Sequence, residues 1–119
     1  MQIKKIGETK IAVMPERLDA NASLETENGL IDIIKTGVKN FICDFSQTEY
    51  ISSAGLRVLI KAAKKTRQEN GRIILFGLKE YVMEVLETAG FVQLFKIVKT
   101  QEEALENINF TFGWDSSNI

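Results

Sequence analysis

The sequence predicts an α/β domain with a mixed central β-sheet of about four to five strands and about four helices. Short apolar segments rich in β-branched residues alternate with longer segments whose apolar residues recur every three to four positions, the pattern of strands alternating with helices. The 119 residues, 45% of them hydrophobic, suffice for one core. Loops of a few residues connect these segments, so we expect a single domain.

The chain begins with a predicted hairpin. Gln2–Ile6 and Lys10–Met14 have the composition of strands, and Gly7-Glu8-Thr9 between them predicts a tight turn. Pro15 has no backbone N–H and is expected to end the second strand.

A helix and a buried strand are predicted next. Asp19 and Asn21 are candidate N-caps of the helix. It is expected to run to about Thr36 and to end at Gly37. Asn40–Phe45 is apolar almost throughout, which favours a central strand covered on both faces.

The second helix is predicted from apolar residues that share one helical face, namely Leu56, Leu59, Ile60 and Ala63. Asn70-Gly71 then predicts a turn into Arg72–Phe76, another strand. A third helix is predicted over Lys79–Ala89, with Gly90 as its terminator.

Leu94–Val98 has the pattern of a last strand, and Thr100-Gln-Glu-Glu103 is a capping box that predicts a short final helix. The predicted order is therefore ββαβαβαβα. We assign residues 1–108 to the domain and residues 109–119 to a C-terminal tail in which Phe110, Phe112 and Trp114 alternate with polar residues. These aromatic residues are expected either to cover an edge of the core or to form a dimer or partner contact.

Charge and composition exclude several classes of function. Fifteen basic and sixteen acidic residues give a net charge of −1, so no overall field favours nucleic acid or an anionic membrane. No apolar run approaches the roughly 18 residues that cross a bilayer, and the first residues lack the apolar region of a signal peptide. We therefore expect a cytoplasmic protein with no direct nucleic-acid partner and no membrane insertion.

Enzymatic chemistry is disfavoured by the residue types. The chain has no histidine, which removes the commonest general base, most zinc sites and the usual activated serine or cysteine. The single cysteine, Cys43, lies in an apolar run and is expected to be a buried core thiol. We predict no enzyme activity, no catalytic residues, no metal and no cofactor.

The most informative segment runs from Asp44 to Leu56 and joins a buried strand to the second helix. It brings two hydroxyls, those of Ser52 and Ser53, to the helix entrance. Free backbone N–H groups and the positive end of the helix dipole meet there, so a hydroxyl can cap the helix or an attached phosphate can be stabilised.

The segment Tyr50-Ile51-Ser52-Ser53-Ala54-Gly55-Leu56 also carries a family resemblance. Together with Arg17-Leu18-Asp19-Ala20, Leu86-Glu-Thr-Ala-Gly90-Phe91, Leu94-Phe95 and Glu103-Ala104-Leu105, it resembles a STAS domain of the bacterial anti-sigma factor antagonist type. The resemblance extends over about residues 3–108 and implies a single domain of the STAS fold.

The resemblance implies a partner switch. Such proteins bind an anti-sigma factor that is also a serine kinase of the histidine-kinase-like ATPase class, and thereby release a sigma factor. The kinase phosphorylates a serine at the start of the second helix, and a PP2C-type phosphatase reverses the reaction. Alignment on Gly55-Leu56 makes Ser53 the phosphorylation site ahead of Ser52. The family commonly has Asp where this chain has Ser52, and Gly where it has Glu16.

The expected partner-binding residues surround this serine: Asp19, Ser52, Ser53, Ala54, Gly55, Arg57 and Lys61. Arg57 and Lys61 belong to a basic outward face of the second helix that would complement an acidic patch, or else be an ordinary solvated face. Arg57 lies four residues after Ser53, within reach of a phosphate there. Asp19 has a competing role as a helix N-cap.

The alternative function is a STAS subunit without phosphate control. It would be a scaffolding or ligand-sensing part of a larger regulatory or transport assembly. The Ser52 departure leaves this alternative open. A homodimer is compatible with both functions.

Overall fold

The computed structural model describes residues 1–108 of the chain. Within that range the strands and helices follow one another in this order: β1 Gln2–Ile6, β2 Thr9–Val13, β3 Arg17–Leu18, α1 Ala20–Lys35, β4 Asn40–Asp44, β5 Tyr50–Ile51, α2 Ser53–Gln68, β6 Arg72–Phe76, α3 Glu80–Ala89, a 3₁₀ turn at Val92–Leu94, β7 Phe95–Val98, and a last helix, α4, at residues 101–108. The predicted α/β class is confirmed.

Among the described residues, five strands form one mixed sheet in the order β1-β2-β4-β6-β7. β1 pairs antiparallel with β2 through the predicted hairpin, and every other neighbouring pair is parallel. The central strand is β4, as its apolar composition predicts, since parallel strands covered on both faces need apolar residues at nearly every position.

The two faces of the sheet bury separate apolar clusters. Ala12, Cys43 and Leu75 belong to the larger cluster, which includes side chains from α1, α2 and α3. Ile11 and Ile42 belong to the smaller one, which includes Ala104 of α4. Of the four helices described, three therefore cover one face of the sheet and the fourth contributes to the other.

The local signals at helix ends are largely confirmed. Asp19, and not Asn21, is the N-cap of α1, where its side chain accepts hydrogen bonds from two backbone N–H groups. Gly37 and Gly90 follow α1 and α3 with positive φ of 85° and 79°. The Thr100 hydroxyl accepts the backbone N–H of Glu103 at 3.1 Å, as the capping box predicts.

The sequence prediction omitted β3 and β5, which pair with each other in parallel within the described residues. Each strand has two residues, too few for a strand period to be recognised. Their pairing joins the segment before α1 to the segment before α2. This small sheet positions the candidate site.

Candidate functional site

The entrance of α2 is held by Ser52, its N-cap residue. Ser52 Oγ accepts a hydrogen bond from the backbone N–H of Gly55 at 3.2 Å and lies 3.5 Å from the carbonyl oxygen of Leu18. The Ser52 backbone N–H donates to the same carbonyl at 3.0 Å. The polar groups of Ser52 are therefore used in fixing α2 to β3.

Ser53 occupies the first position of α2 and is exposed. Within the described residues its hydroxyl makes no hydrogen bond to protein. The two adjacent serines therefore differ in kind, because one hydroxyl caps the helix and the other faces solvent at its positive end. Ala54, beside them, is partly exposed.

Gly55 is buried where α2 crosses β3. A Cβ atom there would collide with the Leu18 carbonyl oxygen and would lie 2.8 Å from Leu18 Cγ. Glycine is required by this close approach of two backbones. Among the predicted site residues, Gly55 thus sets the position of α2 and offers no side chain to a partner.

The loop between β4 and β5 is tied to the loop after β2. The Asp44 carboxylate accepts the backbone N–H of Ser46 at 2.8 Å, which makes an Asx turn. Gln47 Nε2 donates to the Met14 carbonyl and Thr48 Oγ1 to the Pro15 carbonyl, both at 2.8 Å. These bonds connect segments 33 residues apart, so the approach to Ser53 has a defined shape.

Asp19 lies next to the α2 entrance because it follows Leu18 directly. Its Oδ1 accepts the backbone N–H groups of Asn21 and Ala22 at 3.0 and 3.2 Å. The bond from Ala22 is the largest of several contacts that lower the pKa of Asp19, and Arg17 adds to the effect. The Asp19 carboxylate is therefore engaged in capping α1 through Oδ1. A partner could contact it only through the part of the carboxylate that does not face these N–H groups.

The basic face of α2 is exposed as predicted, at Arg57, Lys61, Lys64 and Lys65. Lys61 Nζ pairs with Glu27 Oε2 of α1 at 2.8 Å. None of the ion pairs found within residues 1–108 involves Arg57, which follows Ser53 by one helical turn. Lys61 lies about 12 Å along the helix from Ser53 at 1.5 Å per residue.

Sequence reasoning missed a row of stacked side chains beside this entrance. The Arg17 guanidinium carbon lies 4.5 Å from the centroid of the Tyr50 ring. Tyr50 and Tyr81 stack with ring centroids 6.2 Å apart and an interplanar angle of 12°. Arg17 and Tyr50 are register partners of β3 and β5, so only knowledge of that pairing could have brought them together.

Comparison with known proteins identifies the domain. A family model of the STAS domain matches residues 1–104. The chain belongs to the STAS domain family. A Bordetella bronchiseptica protein named as an anti-sigma factor antagonist, BtrV, is 33% identical to this STAS domain over 104 residues, covering 87% of this chain and 90% of the relative. The anti-sigma-B factor antagonist of Listeria monocytogenes is 30% identical over 60 residues, half of this chain and 53% of its own length.

Solved structures share the fold. A Thermotoga maritima protein also named as an anti-sigma factor antagonist superposes with a TM-score of 0.82 at 24% identity, covering 91% of this chain and 93% of the other. The anti-sigma factor antagonist SpoIIAA in its unphosphorylated form gives a TM-score of 0.73 at 20% identity, covering 91% and 96%. The STAS resemblance found in the sequence is thereby confirmed.

The thiol of Cys43 is closed off from solvent in this STAS domain. Cys43 is fully buried in β4, and burial raises the pKa of its thiol well above the ordinary value, with the charge of Asp44 adding to the effect. Across residues 1–108, no group of three or more His, Cys, Asp or Glu side chains is arranged to hold a metal ion. None of the helices within residues 1–108 combines the length and the hydropathy that a membrane-spanning segment requires.

Proposed function

We propose that this protein is an anti-sigma factor antagonist whose binding to its partner is switched off by phosphorylation of Ser53. The observation that carries the proposal is the exposed Ser53 hydroxyl at the first position of α2, beside a Ser52 hydroxyl already used as the cap. Membership of the STAS family, with relatives named as anti-sigma factor antagonists, supports it. The protein would act as a binding switch and not as an enzyme.

The choice of Ser53 over Ser52 follows from their hydrogen bonds. A kinase needs a hydroxyl that it can reach and orient. Modifying Ser52 would require breaking its bond to the Gly55 N–H and would introduce a phosphate against the Leu18 carbonyl. Ser53 needs no such rearrangement, since it is exposed and uncommitted.

The domain should tolerate a phosphate at Ser53. The group adds about −1.5 to −2 charges, and the helix dipole favours negative charge at this end by roughly 0.3–1 kcal/mol when exposed. Arg57 is one turn away and is suited to pair with it. The switch must therefore operate at the interface, where an uncompensated charge costs several kcal/mol. A cost of about 3–4 kcal/mol would weaken binding roughly a hundred- to a thousandfold.

The proposed partner is a serine-kinase-type anti-sigma factor of the histidine-kinase-like ATPase class, with a PP2C-type phosphatase reversing the modification. Around Ser53 the surface contributed by Asp19, Ser52, Ala54 and Arg57 would meet the kinase, with Lys61 further along α2. The basic face of α2 would require an acidic surface on this partner. Such a partner acts on transcription and implies a cytoplasmic protein.

Phosphorylation can be tested directly. The purified protein is incubated with ATP and, in turn, each serine-kinase-type anti-sigma factor encoded in its own genome, and phosphate is located by mass spectrometry. We expect one candidate to place a single phosphate on Ser53. Ser52→Ala should remain a substrate and Ser53→Ala should not. Absence of phosphate from all candidates, or modification of Ser52 alone, contradicts the proposal.

The affinity of Ser53 variants for the kinase tests whether charge at this position controls the complex. Ser53→Asp should fold normally and lose affinity for the identified kinase, whereas Ser53→Ala should bind whether or not ATP is present. A Ser53→Asp variant that binds as tightly as the wild type would show that charge at this position does not control the complex.

A second candidate function is a STAS subunit that scaffolds an assembly or senses a ligand without phosphate control. The observation that favours it is Ser52, which stands where the family resemblance leads one to expect Asp. In that case no kinase would modify Ser53, and Ser53→Asp would join its assembly as readily as the wild type.

A further inference from the structure

We propose that the partner-docking surface extends from Ser53 across Tyr50 onto the exposed side of α3, with Tyr81 as its anchor. This inference rests on the proposed function, because the occupant is the same anti-sigma factor that would meet Ser53. It adds a second area of contact and the chemistry that the partner must present there.

The surface is continuous with the entrance of α2. Tyr50 precedes Ser53 by three residues, so their Cα atoms are at most about 11 Å apart. The Tyr50 ring is stacked with the Tyr81 ring of α3 and contacts the Arg17 guanidinium. A partner that covers Ser53 therefore has this row of side chains within its immediate reach.

An apolar stripe continues from Tyr81 along α3. Tyr81, Val85 and Ala89 recur every four residues, and with Glu84 and Thr88 they line a shallow depression. Tyr81 is 49% exposed, whereas its neighbour Val82 is completely buried. Other residues of α3 such as Val82 therefore face the core, and about half of the Tyr81 surface remains available to a partner.

The residue types suit an interface. Tyrosine and arginine are enriched among the residues that dominate protein–protein binding energy, because they bury a large area with few rotatable bonds or offer several donors. Stacking with Tyr50 already restricts the Tyr81 ring, which lowers the entropy lost when a partner orders it. A single exposed apolar residue without such stacked neighbours would not indicate an interface, because such residues are common on protein surfaces.

Charge defines the partner and its orientation. The exposed residues of α2 are basic at Arg57, Lys61, Lys64 and Lys65. Those of α3 are acidic at Glu80, Glu84 and Glu87. The surface therefore calls for a partner with an acidic patch over α2, an apolar side chain on the Tyr81 ring and a basic residue opposite Glu84.

The experiment measures dissociation constants for the kinase that modifies Ser53. Tyr81→Ala should weaken binding at least about tenfold, while Tyr81→Phe, which keeps the ring, stays close to the wild type. Glu84→Lys should also weaken binding. This loss of affinity should grow as the salt concentration falls, because the new repulsion is then less screened. Ile6→Ala is the matched control, since Ile6 is 41% exposed on the edge strand β1, and it should bind normally. Circular dichroism of each variant establishes that the fold is retained.

The outcomes separate this inference from the function on which it rests. If no kinase binds or phosphorylates the wild type, the proposed function fails and this inference fails with it. If the wild type is bound and phosphorylated while folded Tyr81→Ala binds equally well, the docking surface on α3 is wrong and the switch at Ser53 stands. A concentration-dependent dimer that Tyr81→Ala dissociates would also overturn the inference, because a second copy would then occupy this surface.

Discussion

At the scale of single residues, Gly55 explains why the entrance of α2 has its particular sequence. The Leu18 carbonyl accepts the Ser52 N–H, and the backbone of Gly55 passes directly beside it. A side chain at position 55 would push α2 away from β3 and weaken that hydrogen bond. Glycine is required here because the backbones of α2 and β3 pack against each other directly. This packing fixes the position of Ser53 relative to the small sheet of β3 and β5.

The substitution Gly55→Ala should therefore destabilise the protein by about 1–3 kcal/mol, the usual cost of forcing extra volume into a packed site. Gly29→Ala is the matched control in α1. The three atoms nearest to its new Cβ all belong to the unbranched Met1 side chain, which can shift by rotating about its own bonds, whereas the Leu18 backbone cannot. Alanine also gains up to about 1 kcal/mol of helix propensity over glycine. Urea unfolding of both variants measures the difference. Equal stabilities for the two would show that the Leu18 contact relaxes without cost.

At the scale of elements, sequence and structure agree wherever the controlling chemistry is local. The Asp19 and Thr100 caps depend on residues within four positions, so spacing predicts the Thr100 cap and limits the cap of α1 to Asp19 or Asn21. The pairing of β3 with β5 depends on backbone bonds such as Glu49 N–H to Glu16 carbonyl, 33 residues away. No local period marks such short strands, and the stacking of Arg17 on Tyr50 was unpredictable for the same reason.

The cap of α2 yields a prediction at this scale. Ser52→Ala removes the side-chain acceptor of the Gly55 N–H and should cost about 1 kcal/mol, within a range of roughly 0.5–2. Ser53→Ala changes the neighbouring hydroxyl, which caps nothing, and should leave the free energy of unfolding nearly unchanged. Urea denaturation of the pair provides the measurement. If Ser53→Ala proved the more destabilising variant, the roles of the two serines would have to be exchanged.

At the scale of the whole molecule, the proposed switch at Ser53 is separated from the core. Ser53 is exposed at a helix entrance, whereas the centre of the sheet is closed on both faces. Cys43 lies in β4 at that centre, in register with Ala12 of β2 and Leu75 of β6. A change at Ser53 can alter partner binding without repacking this region, so we expect phosphorylated and unphosphorylated forms to share one fold.

Cys43 offers a direct measure of how cooperatively that fold opens. The thiol is inaccessible, and because burial raises its pKa, little thiolate exists in the native state. A thiol reagent such as DTNB should react only when the sheet unfolds. For a domain stable by about 5–15 kcal/mol, labelling at pH 8 should be more than about a thousandfold slower than in denaturant. Each 1.4 kcal/mol by which Gly55→Ala lowers the free energy of unfolding should accelerate labelling about tenfold. Phosphorylation of Ser53 should leave the labelling rate within a few-fold of that of the unmodified protein. Rapid labelling of the native wild type would instead mean that β4 opens locally, and that the central sheet is not the rigid base on which the Ser53 surface is built.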